Sequence, residues 1–144
     1  MSNRRKCRDS RGSWGRRLWE PASGRLRLGW SGGRGTVSSL AFAPDGMTLA
    51  SAHLDESGRI RLWDPASGRL RESLVGHTGK VRTVAYRRDG AILASGGDDR
   101  TIRLWNGASG EPIRTLMGHE DKVRQVVFSP DGSVVYFSSD RTGI

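Results

Sequence analysis

One segment of the chain occurs a second time in nearly the same form, and this repetition limits the possible folds more than any other feature. The segment RLWDPASGRLRESLVGHTGKVRTVAYRRDG at 61–90 matches RLWNGASGEPIRTLMGHEDKVRQVVFSPDG at 103–132. A more divergent copy, RLWEPASGRLRLGW at 17–30, precedes the matching RLWDPASGRLRESL at 61–74. Because several tryptophans, histidines and aspartates keep the same offsets together, the sequence predicts a series of similar structural units.

Each unit has the pattern of short β-strands joined by tight turns. The strand predicted at Lys80–Tyr86 ends at an Asp-Gly turn, and a second turn is expected at Gly96–Asp99. Val81 and Val84 are three positions apart, which breaks the alternation of a strand, so we expect a β-bulge between them. No segment has the periodicity of an amphipathic helix. The sequence therefore predicts an all-β, antiparallel fold.

Four strands in a unit of about 42–44 residues, with Gly-His before the first and Trp-Asp after the third, resemble the WD-repeat family of β-propellers. The matching pairs are Gly76-His77, Gly118-His119, Trp63-Asp64 and Trp105-Asn106. The family's SPDG turn stands at 129–132, with APDG at 43–46 and RRDG at 87–90. The resemblance covers about residues 16–144 and implies antiparallel four-stranded blades.

The expected domain organisation is a basic, flexible arm at 1–15 followed by a partial propeller at 16–144. Its repeat units are placed at about 31–63, 75–105 and 117–144, with a degenerate start at 16–30. Strand counting gives two, four, four and two strands along the chain, which is three blades' worth. Because a closed propeller needs roughly four to eight blades, we expect an open arc that self-associates to complete a ring. The alternatives are a piece of a longer propeller and a truncated reading frame.

The resemblance also implies a buried hydrogen-bond network in each blade, in which four polar groups satisfy one another. The residues that it assigns to these networks are His77, Ser95, Asp99 and Trp105 in one unit, and His119 with Asp140 in the last.

The unit that ends at Trp63 departs from this pattern. Gly33 stands where its histidine is expected, and Ser57 stands where its aspartate is expected. We therefore expect no network and a looser blade there. His53 falls in an irregular insert, so the substitution His53→Ala is expected to have almost no effect on stability.

Enzyme and metal chemistry are not expected. His77, Asp99 and Ser95 have the chemistry of a catalytic triad, but the repeat already explains all three. The three histidines are predicted in equivalent turns of separate units, which does not make a metal site. Cys7 is the only cysteine, so no intramolecular disulfide is possible. The glycine-rich runs lack a phosphate-binding motif, and no cofactor is predicted.

WD-repeat propellers mostly bind other proteins through loops at one end of the ring, and the resemblance implies the same function here. The candidate partner-binding residues at the Gly-His turns are Lys80, Arg82, Asp98, Lys122 and Arg124. A rim that is only solvated is the alternative. A further alternative is that the chain is the sensor fragment of a larger signalling protein.

Net charge suggests another function. The chain carries +9 overall, and residues 1–30 hold nine Lys and Arg against two Asp and Glu. Such a cluster binds nucleic acid or another polyanion by counterion release. The candidate residues are Arg4, Arg5, Lys6, Arg8, Arg11, Arg16 and Arg17. The sequence contains neither a secretory signal nor a membrane-spanning stretch, so we expect a cytoplasmic protein.

Overall fold

The computed structural model describes residues 16–19, 21–24, 26–30 and 36–139, and this part of the chain forms twelve β-strands. No helix in it is long and apolar enough to cross a bilayer. The strands are β1 (Arg16–Trp19), β2 (Leu26–Trp30), β3 (Val37–Phe42), β4 (Leu49–His53), β5 (Arg59–Trp63), β6 (Leu70–Val75), β7 (Val81–Tyr86), β8 (Ile92–Gly97), β9 (Ile102–Asn106), β10 (Pro112–Leu116), β11 (Val123–Phe128) and β12 (Val135–Ser139).

These strands form four antiparallel sheets in which each strand pairs with the next along the chain. Strands β3–β6 make one four-stranded sheet, blade 1, and β7–β10 make a second, blade 2. The two-stranded sheets β1–β2 and β11–β12 are called the N-terminal and C-terminal hairpins. The predicted all-β fold of antiparallel four-stranded blades, open rather than closed, is confirmed.

The predicted β-bulge is also confirmed. The register of β7 against β8 shifts between Val81 and Thr83, so the residue between them bulges out of the ladder. The same shift occurs between Val37 and Ser39 in blade 1, and at the equivalent point of β11 in the C-terminal hairpin. The first strand of each of these three sheets (β3, β7 and β11), which we call the inner strand, therefore has the same local kink at its start.

The turn expected at Gly96–Asp99 is wrong in part, because Gly96 and Gly97 lie within β8 and the turn begins at Asp98. A Cβ on Gly96 would lie 2.5 Å from Cγ1 of Val123 in the next hairpin. A Cβ on Gly97 would lie 2.4 Å from the carbonyl oxygen of Lys80. These glycines permit close approach of neighbouring backbone and side chains, a role that the sequence pattern does not separate from turn formation.

The core lies between the blades. Ile60, Leu62 and Leu74 on one face of blade 1 pack with Val81 and Trp105 of blade 2. The same face of blade 2 packs against the C-terminal hairpin in a second cluster. Each fully buried aliphatic side chain contributes about 1.5–3 kcal/mol, so most of the stabilisation of one blade depends on its neighbour.

Hydrogen bonds between neighbouring inner strands repeat along the stack. The backbone N–H of Val84 donates to Oγ of Ser39 at 3.2 Å, which links blade 2 to blade 1. The N–H of Val126 donates to Oγ1 of Thr83, also at 3.2 Å, which links the C-terminal hairpin to blade 2. A hydroxyl on β3 and another on β7 thus fix the position of the next inner strand.

A buried polar network and a charged rim

Blade 2 contains a continuous hydrogen-bond network that joins two strands and two turns. The indole Nε1 of Trp105 donates to Oγ of Ser95 at 2.8 Å, and that oxygen lies 2.7 Å from Nε2 of His77. The Nδ1 atom of His77 lies 2.9 Å from Oδ2 of Asp99. Because the carboxylate only accepts, Nδ1 carries the proton and Nε2 accepts the Ser95 hydroxyl. The network runs from indole to carboxylate with every group satisfied.

Asp99 accepts further hydrogen bonds at the end of this network. The hydroxyl of Thr101 donates to its Oδ1 at 2.8 Å, and the backbone N–H of Thr78 donates to Oδ2 at 3.1 Å. Burial raises the pKa of Asp99, but the hydrogen bond from His77, together with these donors, holds the pKa well below its usual range. Asp99 is therefore a carboxylate at neutral pH and ties two turns together.

The same geometry prevents Ser95 from acting as a nucleophile. Ser95 is fully buried, and its oxygen already accepts from Trp105. A nucleophile must reach a reacting atom with a free site near both it and its base. Within the described ranges, no three His, Cys, Asp or Glu side chains are grouped so that they could hold a metal ion.

The expected absence of a network in blade 1 is wrong. Nε1 of Trp63 donates to Oγ of Ser51 at 2.8 Å, and Nε2 of His53 lies 2.8 Å from that oxygen. His53 is fully buried at the end of β4, and so it does not lie in a turn equivalent to those of the other histidines. His53 and Ser51 lie on the same strand. This placement is sufficient because the hydrogen bond requires only that a nitrogen lies near Oγ, whichever position in the chain supplies it.

In blade 1, Asp55 takes the role of the aspartate that the repeat pattern places at position 57. Its Oδ1 accepts from the backbone N–H of Ser57 at 2.9 Å and from the Ser57 hydroxyl, as Asp99 accepts from Thr101. Burial raises the pKa of Asp55, but the Ser57 hydrogen bonds and the charge of Arg61 outweigh this effect and lower it. The two extra residues in the turn between β4 and β5 hide this equivalence in the sequence.

The network expected around His119 is incomplete among the described residues. Asp140, its predicted partner, lies outside them. Phe137 stands one repeat after Ser95, where the serine would be, and its ring meets His119 edge-on with centroids 4.2 Å apart. The buried Nε2 of His119 has no hydrogen-bond partner in the described part. The repeat spacing alone was sufficient to predict the missing serine.

The candidate partner-binding residues lie on what we call the Gly-His rim, the blade edge formed by the turns at 54–58, 76–80, 98–101 and 118–122. Arg82 forms a bidentate ion pair with Asp98, with distances of 2.6 and 3.0 Å. Lys80 lies 3.4 Å from Glu56, and Lys122 lies 3.6 Å from Asp98. Each lysine therefore contacts an acid of the preceding blade. The hydrogen bond from Arg82 lowers the pKa of Asp98 most, although burial opposes it.

Two exposed arginines also lie at this rim. Arg124, in β11, is exposed. Arg100 has a φ of 66°, and it is the one residue other than glycine with positive φ in the described part of the chain. Its counterpart in the preceding repeat is Gly58, whose φ is 63° and where a Cβ would lie 2.0 Å from the carbonyl oxygen of His77. The motifs of the repeat do not single out Arg100, but its alignment with Gly58 is a signal of a left-handed conformation at this position.

The candidate polyanion-binding residues fall mainly outside the described part. Arg4, Arg5, Lys6, Arg8 and Arg11 all lie there. Arg16 and Arg17 belong to β1, and so they are part of a hairpin.

Replacing His53 by alanine is expected to lower the free energy of unfolding by about 1–3 kcal/mol, as much as His77→Ala, because Ser51 loses its buried partner. His119→Ala serves as the control and is expected to cost less, since Nε2 of His119 has no hydrogen-bond partner among the described residues. Urea unfolding of the three variants measures the order. An unchanged midpoint for His53→Ala would contradict the network in blade 1.

The lowered pKa of Asp99 makes stability depend on acidity. An unfolded aspartate titrates at about pH 3.9, so the carboxylate stabilises the fold above about pH 4, and this contribution is lost as the pH falls towards the lower folded pKa. Asp99→Asn is expected to be less stable at about pH 6 and to lose less stability between about pH 5 and about pH 2.5. The control is Glu111→Gln at an exposed position. Parallel pH profiles for Asp99→Asn and the parent chain would refute this linkage.

Comparison with known families agrees with this geometry. The family model described as WD domain, G-beta repeat matches residues 25–64, 68–106 and 110–142, more than three quarters of the chain. No curated protein matches the chain. The first two matches each begin at the last strand of one sheet and end after the third strand of the next, and the third match covers β10, β11 and β12. The chain therefore belongs to the WD-repeat family.

Proposed function

We propose that this protein is a non-catalytic scaffold that binds other proteins through the Gly-His rim, and that it acts in the cytoplasm. Domains built from WD repeats generally mediate interactions between proteins. The observation that carries the proposal here is the regular placement of charged side chains on this rim by ion pairs, one within blade 2 and two between successive sheets. Rigid scaffolds that present polar turns are well suited to recognition.

The ion pairs restrict the charged side chains before any partner binds. Asp98 is shared between Arg82 of its own blade and Lys122 of the C-terminal hairpin. Side chains that are already ordered lose less conformational entropy on association, which favours binding. Exposed ion pairs contribute little to stability, so the arrangement has more value for recognition than for the fold.

Arg100 supports the same surface. A left-handed conformation costs a residue with a Cβ roughly 1–2 kcal/mol, and the equivalent turn of blade 1 avoids this cost with Gly58. Strain of this kind is concentrated at binding sites. Arg100 is exposed and forms no ion pair with a described residue, so its guanidinium is available to an acidic group of a partner.

Charge reversal tests the rim directly. Arg100→Glu is expected to reduce capture of the protein's partners from cell extract at least about fivefold, the equivalent of roughly 1 kcal/mol. Arg88→Glu makes the same charge change in the turn at the other end of β8 and is expected to alter capture less than about twofold. Quantitative mass spectrometry of the captured proteins measures both effects. Equal losses for the two variants would refute a rim-specific binding site.

Binding of nucleic acid through the arm is a second candidate function, supported by the concentration of positive charge in residues 1–30. Deleting 1–15 leaves β1 intact and is expected to abolish binding to single-stranded DNA at low salt. Five phosphate contacts would give a log–log salt slope of about −3.5. A full-length control replaces five basic residues by glutamine, namely Arg4, Arg5, Lys6, Arg8 and Arg11. Binding that survives both changes would exclude the arm.

A further inference from the structure

The two hairpins are complementary halves of one blade. The N-terminal hairpin pairs Arg17 with Gly29 and Leu18 with Leu28, and its register shifts before Trp19. The third and fourth strands of blade 1 show the same pairs and the same shift one repeat later. Strands β1 and β2 therefore correspond to the third and fourth strands of a blade.

The C-terminal hairpin is the other half. It pairs Val126 with Phe137 and Val127 with Tyr136. The first two strands of blade 2 have the same register one repeat earlier, including the shift at the bulge. Strands β11 and β12 are therefore the first and second strands of a blade. Together the two hairpins contain one complete set of four strands.

The second strand of the C-terminal hairpin is open where the equivalent strand of blade 2 is covered. Residues 93–97 of β8 are all buried between β7, β9 and the neighbouring sheets. In β12 the equivalent positions are mainly exposed, and Tyr136 reaches 60% exposure. No described strand pairs with the second edge of β12. An unpaired strand edge with exposed apolar side chains can accept another strand.

We propose that two copies of this chain join head to tail, with β12 of each copy pairing with β1 of the other. The described strands of each copy then supply blade 1, blade 2 and two half blades, and two such copies form a closed ring of six blades. Closed propellers have about four to eight blades. Each copy contributes the strands of three blades, so two copies are the number that falls within this range. The assembly does not depend on which partner binds the rim.

The exposed apolar residues at the two ends of the stack fit this arrangement. Leu40 in blade 1 is 52% exposed, whereas its equivalents Val84 and Val126 are 5% and 2% exposed because a preceding blade covers them. In the ring, the C-terminal hairpin of the second copy precedes blade 1, with the shared blade completed by β1 and β2 of the first copy. Within the chain, one face of blade 1 covers β7 and the equivalent face of blade 2 covers β11. The exposed Val127 and Tyr136 of the C-terminal hairpin lie on the equivalent face of that hairpin.

The hydrogen bond between inner strands extends to the same contact. Ser39 and Thr83 each accept from a backbone N–H of the next blade. The residue at the equivalent position of the C-terminal hairpin is Gln125, which is exposed. In the ring its side-chain oxygen accepts from the N–H of Leu40 in the second copy. The interface therefore continues an arrangement that the chain already uses twice.

The proposal defines a register between the copies. In blade 2, Leu93 pairs with Trp105 and Ala94 pairs with Leu104. Transferred by the repeat spacing, Val135 of one copy pairs with Trp19 of the other, and Tyr136 pairs with Leu18. Directly paired antiparallel residues have Cα atoms about 4.5–5.5 Å apart, which is within the range of a disulfide.

Disulfide trapping between two different chains tests this register. In a Cys7→Ser background, one chain carries Tyr136→Cys and the other carries Leu18→Cys. When the two are mixed and oxidised, we expect most of the protein to form a covalent dimer on non-reducing gels. The control pairs Tyr136→Cys with Arg17→Cys, because a shift of one residue places the two Cβ atoms on opposite faces. That mixture is expected to give at least about tenfold less product.

Sedimentation equilibrium of the unmodified chain gives an independent measurement. The expected mass is twice the 15.8 kDa of one chain, and circular dichroism checks that each cysteine variant keeps its β-structure. A folded monomer at high micromolar concentration would overturn the proposal, as would equal cross-linking by both cysteine pairs. Open polymers with the predicted cross-link would overturn the closed ring of two. Arg100→Glu is expected to leave the mass unchanged, which separates assembly from partner binding at the rim.

Discussion

Every blade of this protein has two apolar faces, and the burial of both faces is the constraint on which the rest of the structure depends. The second strand of blade 1 is buried along its whole length, whereas its outer strand is mostly exposed. One sheet cannot cover itself on two sides, so each blade is stabilised by contact with the blade before it and the blade after it. A stack of such blades has an uncovered face at each end unless it closes into a ring.

Close packing between blades explains why the polar networks are needed. An indole N–H and a serine hydroxyl become buried where three strands meet, and an unsatisfied buried group costs about 1–3 kcal/mol. Blade 2 satisfies its serine with His77 from the turn before its first strand, and blade 1 satisfies its serine with His53 from its second strand. What the two blades share is a nitrogen near the serine oxygen, and two different backbone positions supply it.

The elements that recur in each repeat could be predicted from the sequence. A residue that performs the same role from a different position in the repeat could not. The strands, their antiparallel pairing and the bulge after Val81 follow from patterns that recur in each unit. His53 was missed because a motif assigns a role to a position, whereas the hydrogen bond depends on where an atom lies in space. The glycines at 96 and 97 were assigned to a turn because a tight turn and a close contact between strands both require the absence of a Cβ. Only packing separates these two causes.

The difference between Ser95 and Phe137 then has a physical meaning. In the proposed assembly, the free edge of β12 in the C-terminal hairpin is exposed to water until the third strand of the blade pairs with it. A serine in a half-formed network would lack its indole donor until the third strand arrived, while an aromatic ring has no such requirement. Phe137 contacts His119 and keeps apolar area exposed, and burial of that area on pairing would favour association. In the proposed ring, the blade shared between two copies would therefore contain no buried serine whose hydrogen bonds depend on the order in which its strands meet.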